Sequence, residues 1–234
     1  MKAPSWMIDE LDYAGPEHLD EDFVAGYDRK QGYPSAEEDL DALAGLGVLT
    51  PEATVVDQGT GTGQFALAVA PLCGRVVAAD VSAQMVAMVQ RKAAAAGLHN
   101  ISCTRAGLLS YQHAGEPADV LYCRNTLHQV PDFFKGLALH RMVTTLRPGG
   151  ILRLRDLVYD FTPAQAPEAI EKWMAGAATD PTVGYTREDF ATHVRSEFST
   201  YRWLLEPMLE KVGFTILDAD IHLGIYATYT ARRD

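Results

Sequence analysis

The sequence predicts an α/β domain built on a doubly wound, mostly parallel sheet, and three observations carry that prediction. Short apolar runs alternate with amphipathic stretches along residues 50–160, the pattern of strands and crossover helices. The run Val55-Val56 ends in an acid, Asp57, and turns through Gly59, Gly61 and Gly63 into a helical stretch beginning at Gln64. A second short apolar run, Arg75 to Ala79, ends in another acid, Asp80. A strand, a glycine turn and a helix in that order bring backbone N–H groups and a helix N-terminus close to a ligand, because glycine lacks the Cβ that would block approach. An acid at the tip of the second strand is placed to accept hydrogen bonds from both hydroxyls of a ribose.

The elements follow in order. Pro34 and Ser35 open a helix; Ser35 with Glu38 fits a capping box, and Leu40, Leu43 and Leu46 form an apolar stripe that stops near Gly47. The first strand covers Thr54 to Asp57, and the helix behind it runs to Leu72. Ser82 caps an alanine-rich helix from Ala83 to Ala96, with Gly97 as its terminator. Asn100 to Arg105 is a third strand. Ala118 to Arg124 is a fourth, a near-continuous apolar run of the kind buried on both faces. Asp132 starts a helix carrying Phe133, Leu137, Val143 and Leu146. Arg147-Pro148-Gly149-Gly150 breaks it and leads into a fifth strand, Ile151 to Arg155. Lys172, Trp173 and Met174 sit on a helix ended by Asp180-Pro181, and Thr186 to Asp189 opens another with a capping-box start. Ligands of such sheets bind outside the carboxyl ends of the strands, where Asp57, Asp80, Gly107, Arg124 and Asp156 converge.

Composition narrows the partners. The 234-residue chain carries a net charge of −11. Residues 1–41 hold twelve acids against three bases, so most of the charge lies at the N-terminal end. An acidic chain repels a polyphosphate backbone at long range, which argues against nucleic acid as a partner. No apolar run approaches the roughly 20 residues that span a bilayer, and the N-terminus lacks the apolar core of a signal peptide, so a cytoplasmic location without a membrane partner is expected. The three cysteines, Cys73, Cys103 and Cys123, have no C-x-x-C spacing and read as reduced, buried thiols.

The glycine spacing departs from the dinucleotide fingerprint G-x-G-x-x-G, because Gln64 stands where its third glycine would be. Asp57-x-Gly59-x-Gly61-x-Gly63 resembles motif I of the class I S-adenosylmethionine-dependent methyltransferases. Leu146-Arg147-Pro148-Gly149-Gly150 resembles the L-x-P-G-G that precedes the fifth strand in that superfamily. Val212-Gly213-Phe214, followed by strands at Thr215–Ala219 and Tyr226–Thr230, resembles its ending. The resemblance covers roughly residues 50–160 and 204–234. It implies a Rossmann-like sheet of seven strands with an antiparallel last strand. It also implies a helical N-terminal cap over 1–49 and a methyltransferase domain over 50–234. Residues 160–203 match no shared motif and read as a helical insertion: a lid over the cleft, a subdomain on the sheet edge, or a homodimer contact.

The resemblance also implies S-adenosylmethionine as cofactor, S-adenosylhomocysteine as product and a small-molecule acceptor. Carried over, the loop of Gly59, Thr60, Gly61 and Gly63 passes under the methionine part, Asp80 takes the ribose hydroxyls, and Asp57 orients the loop or the methionine ammonium. Val81 and Met85 pack against adenine, with plain core the alternative for Met85. Where the family often has a Gly-Asp pair, this chain has Gly107-Leu108, and a leucine side chain cannot accept the adenine amino group. Its backbone N–H can still reach the ring. Arg124 and Asn125 stand where the family contacts the methionine moiety, and Tyr27 or Tyr33 reaches toward its carboxylate from the cap.

Methyl transfer from a sulfonium is an in-line displacement that needs alignment and exclusion of water, and a base only when the nucleophile arrives protonated. His128, just past the fourth strand, is the candidate base; the alternative is a loop histidine with satisfied partners. Arg153 and Arg155 point to one strand face. Either Arg155 binds an anionic substrate group, or both arginines join an internal ion-pair network with Asp156 or acids of the cap. Tyr159 and Trp203 are further substrate candidates. No metal is expected: Arg124-Asn125 stand where catechol-type enzymes place metal-binding acids, and His113 and Glu116 have no accompanying ligands. Two rival readings stay open. A nicotinamide-dependent oxidoreductase would need a Tyr-x-x-x-Lys pair that the chain lacks. A sensor or partner subunit would bind the sulfonium and transfer nothing.

Overall fold

Among the described residues, eight strands form one sheet: β1 (Thr54–Gln58), β2 (Arg75–Asp80), β3 (Ile101–Arg105), β4 (Ala118–Arg124), β5 (Leu146–Tyr159), β6 (Thr200–Tyr201), β7 (Phe214–His222) and β8 (Tyr226–Arg233). The computed structural model describes residues 4–15, 21–32 and 35–234, so the expectations on Tyr33 and Pro34 lie outside the described residues. The main path runs β3-β2-β1-β4-β5-β8-β7. Strands β1 to β5 are parallel, and β8 is antiparallel to both β5 and β7. This is the seven-stranded Rossmann-like sheet the sequence implied, with the two-residue β6 added beside the end of β5.

Neighbouring residues of each central strand face opposite layers. Val56, Val77, Leu121 and Leu152 point to one core, with Leu139 and Met142 of α5 (Asp132–Thr145) and Leu205 and Leu209 of α8 (Arg202–Val212). Val55, Val76, Val120 and Ile151 point to the other core. There they meet Leu43 of α2 (Glu37–Gly45), Phe65 and Val69 of α3 (Gln64–Val69) and Val89 of α4 (Ala83–Ala95). Helix α2, at the end of the expected cap, thus shares a core with the sheet. Among the described residues no helix is long and apolar enough to cross a membrane.

Three local expectations are corrected. Ser35 and Glu38 make no capping box. Ala36 is the N-cap of α2, the Ser35 hydroxyl accepts from the Glu37 N–H at 3.0 Å, and Glu38 reaches across to Arg155 instead. The fifth strand begins at Leu146 because a register shift opposite Ala118 and Val120 takes the Arg147–Gly150 turn into the ladder. Helix α6 (Ala166–Met174) stops well before Asp180, where the N–H groups of Ala175 and Gly176 turn back on the carbonyls of Glu171 and Trp173. By contrast, Thr186 and Asp189 form a complete capping box on α7 (Arg187–Ser196), and Ser82 caps α4 by accepting from Met85 N–H at 3.2 Å.

Candidate active site

The order of strands reverses between β1 and β4, since β2 and β3 lie to one side and β5 to the other. The loops leaving β1 and β4 therefore diverge and leave a crevice at the carboxyl ends. Two adjoining cavities fill it, sharing Tyr27, Gly59, Gly61, Arg124 and Asn125.

The glycine loop is shaped for close approach. Gly59, Gly61 and Gly63 have φ of +76°, +52° and +83°, a left-handed backbone that side chains disfavour. A Cβ on Gly59 would overlap the Thr126 side chain, whereas one on Gly61 meets no atom within 4 Å. The Asp80 carboxylate, at the tip of β2, accepts from Gly61 N–H at 2.9 Å and from Ser82 N–H at 2.8 Å, which fixes its plane against the loop. Asp57 is buried beneath the loop and accepts from the Thr60 hydroxyl at 2.6 Å and Ala66 N–H at 3.2 Å. Burial pushes its carboxyl up to about 7, against the pull of the two donors.

The residues expected to hold a cofactor divide accordingly. Asp57, Thr60, Gly59, Gly61, Arg124 and Asn125 line the first cavity. The second adds Asp80, Val81, Gly107 and Leu108. Gly63 and Met85 are not on either wall. Gly63 is where α3 begins, and a Cβ there would stand 2.8 Å from Val89, so its role is to let α4 pack close. Met85 is fully buried, which is the core alternative. Glu10, from a short 3-10 turn at Glu10–Tyr13, carries no sequence signal of a role at the site. Its carboxylate accepts from Leu109 N–H and the Ser110 hydroxyl, both at 2.9 Å, beside Gly107 and Leu108. Helix α1 (Glu21–Lys30) is tied to the glycine loop: Asp28 accepts from the Thr62 hydroxyl and from Lys92 at 2.9 Å.

A third, larger cavity of about 390 Å³ adjoins at Asn125 and Tyr27, within the range of small-molecule sites. The 160–203 segment walls it through Trp173, Tyr185 and Phe190, facing α1. Trp173 stacks on Phe190 at 4.2 Å and donates from its indole N–H to the Tyr226 hydroxyl at 2.8 Å. Lys30 pairs with Asp189 at 3.4 Å, Gln31 contacts the Tyr185 hydroxyl, and Arg29 donates to the Thr182 carbonyl at 3.2 Å.

The substrate and base candidates fare differently. Arg155 lines none of these three cavities: it pairs with Asp39 at 3.0 Å and Glu38 at 3.2 Å. Arg153 pairs with the same buried Asp39 at 2.8 Å and donates to the Thr230 hydroxyl at 2.8 Å. The ion-pair alternative holds, with acids of the N-terminal region as partners. Tyr159 is packed against Phe161 and Tyr201, and Trp203 is 56 % exposed, stacked on Tyr201 away from the cavities. His128 does line the large cavity, but both ring nitrogens face carboxylates: Nδ1 lies 2.5 Å from Asp156 and Nε2 3.0 Å from Glu197. Burial disfavours its charged form, yet Asp156 and then Glu197 outweigh it and hold the imidazole pKa at about 9. This arrangement favours the protonated imidazole and matches the alternative of a histidine with satisfied partners. Asp156 also accepts from Leu127, His128 and Leu157 N–H groups, which orders the turn after β4. The sequence predicts no ligand cluster, but His128, His193 and Glu197 converge at this wall.

Residues 55–150 match a family described as a methyltransferase domain. No curated protein matches the chain in sequence. In fold, the chain is similar to the magnesium protoporphyrin IX methyltransferase of Synechocystis PCC 6803 solved with bound SAM. The identity is 15% and the TM-score 0.66, covering 99% of this chain and 100% of that one. It is similar to the N-methyltransferase NodS of Bradyrhizobium japonicum WM9, solved with S-adenosyl-L-homocysteine, at 16% identity and a TM-score of 0.60, covering 90% and 94%. It is also similar to the [4+2]-cyclase SpnF, at 20% identity and a TM-score of 0.61, covering 86% and 83%. At these identities the likeness is one of fold. The resemblance read from the motifs, to class I methyltransferases, is borne out by the matched domain and the fold together.

Proposed function

We propose that this chain, which carries a methyltransferase domain on the class I fold, binds S-adenosylmethionine and transfers its methyl group to a small molecule. One observation carries the reading: the glycine loop after β1 is locked by Asp80 at the point where the strand order reverses. The residues fit the cofactor, because Gly61 leaves open space where a Cβ would stand, and Asp80 shares the second cavity with Gly59 and Gly61, within reach of a ribose bound there. Gly107 and Leu108 wall the adenine end, and Arg124 and Asn125 the methionine end. When bound, the cofactor supplies a methyl group activated on a sulfonium.

The chain's own part is alignment and exclusion of water. Asn125 and Tyr27 line all three cavities, which supports a meeting of donor and acceptor beside them. The aromatic wall of Trp173, Tyr185 and Phe190 closes the acceptor space. Because both His128 nitrogens already face carboxylates, the reading favours an acceptor whose nucleophile arrives with a lone pair available. Incubation with S-adenosylmethionine and a panel of small amines, phenols and carboxylates, monitored by S-adenosylhomocysteine release, tests the transfer. Turnover of one class supports it.

A second reading, binding without transfer, is favoured by the engagement of both His128 nitrogens. Tight cofactor binding with no release across the panel would support that reading.

A further inference from the structure

We propose that His128, His193 and Glu197 form a binding site for one divalent transition-metal ion in the wall of the large cavity. The three donor atoms come from separate places in the chain. His128 follows β4, while His193 lies in the last turn of α7 and Glu197, four residues on, is the cap of that helix. They meet within 4.8 Å of one another. The Glu197 carboxylate oxygen lies 3.0 Å from His128 Nε2 and 2.8 Å from His193 Nδ1. Nitrogen and oxygen ligands held about 2.1 Å from a metal stand roughly 3.0–3.5 Å apart, so a shift of a few tenths of an ångström would admit the ion.

Each imidazole is already oriented through its other nitrogen. His128 Nδ1 is held by Asp156 at 2.5 Å, and His193 Nε2 by the Ser199 hydroxyl at 2.7 Å. This is the outer support that metal-binding histidines show, a carboxylate or hydroxyl fixing which nitrogen points at the ion. The backbone is held as firmly. Phe198 N–H donates to the His128 carbonyl at 2.8 Å, and buried Lys135 bridges the carbonyls of Val130 and Phe198. Gln129 donates to Glu197 at 3.2 Å. The ion would take the place of the proton on His128 Nε2, which leaves to solvent on binding, and the two carboxylates, Asp156 and Glu197, then match the charge of a divalent cation between neutral imidazoles.

All three ligands line the large cavity, which leaves coordination positions open toward it. Two histidines and one carboxylate with an open face suit Zn(II), Fe(II) or Co(II), not an all-oxygen ion such as Mg(II). The contrary reading is a metal-free ion-pair network with the same atoms.

Chelator-stripped protein titrated with Co(II), followed by its visible absorption, and with Zn(II), followed by calorimetry, decides between them. One saturating equivalent with micromolar or tighter affinity is expected. His193→Ala and Glu197→Gln should each weaken it by about a hundredfold, and Asp156→Asn by about 10–100-fold, with native circular dichroism throughout. If one of these variants does not fold, the others carry the test. Absence of one-equivalent binding by the stripped wild type, or unchanged affinity in folded His193→Ala and Glu197→Gln, would overturn the site.

Discussion

Asp39 of α2 and Arg153 of β5, 114 residues apart, form a fully buried ion pair at 2.8 Å. Arg155 and the Tyr122 hydroxyl, at 3.0 and 2.9 Å, complete the shell of the same carboxylate. Helix α2 is therefore fastened to the sheet by charge as well as by Leu43. Breaking a buried pair from one side leaves the other charge uncompensated. Asp39→Ala should cost about 3–5 kcal/mol in urea unfolding, because Arg153 has no water to turn to. Arg155→Ala, at a part-exposed position, should cost about 1 kcal/mol or less. Equal losses from both would contradict the assignment of Arg153 as the buried member.

The buried Asp57 links stability to pH. Its folded pKa of about 7 lies above the usual value of 3.8, so the folded chain keeps a proton that the unfolded chain releases. Its contribution is fully present below about pH 4 and is lost as pH rises through 7. Asp57→Asn should remove that dependence. Plotted against pH, the stability of wild type minus variant should fall by a few kcal/mol, in order of magnitude, between pH 4 and 8. Urea unfolding at several pH values gives the difference directly, and a flat difference would refute the raised pKa.

The loop glycines separate packing from binding. Gly63→Ala places a Cβ 2.8 Å from Val89 at a left-handed position, so a stability loss of about 1–3 kcal/mol is expected, with cofactor affinity kept in the folded protein. Gly61→Ala meets no protein atom, so its loss should be about 1 kcal/mol, from backbone strain alone. Its new methyl group stands at the cleft wall, and cofactor affinity should fall by about tenfold or more, since each 1.4 kcal/mol is a factor of ten. Thermal melts and calorimetry on both variants check the pair, and the opposite ranking would exchange the packing role of Gly63 with the binding role of Gly61.

What the sequence made legible was local. The acid–glycine loop, Asp80 and the Thr186 capping box each lie within a few residues, so spacing alone locates them. The near-continuous apolar run Ala118 to Arg124 marks a strand buried on both faces for the same reason. What stayed hidden depended on distant partners. Two arginines on a strand show that a charge must be compensated, but not that Asp39 compensates it. Glu10 reaches Leu109 across 99 residues, and no local pattern announces it. His193 and Glu197 have a helical spacing that is visible in the sequence, but their meeting with His128 depends on how α7 docks. Trp203 and Tyr159 line none of the three cavities, because an aromatic residue in sequence does not reveal which face it presents.

The central claim is that the cleft at the β1/β4 switch point holds S-adenosylmethionine. Titration calorimetry with S-adenosylmethionine, S-adenosylhomocysteine and NAD, run on wild type and Asp80→Ala, tests it most directly. The expected result is micromolar binding of both sulfur nucleosides, none of NAD, and at least a hundredfold loss in the variant, because hydrogen bonds to a charged acceptor contribute about 1.5–3 kcal/mol each. A folded wild type that binds neither sulfur nucleoside, or that prefers NAD, would contradict it.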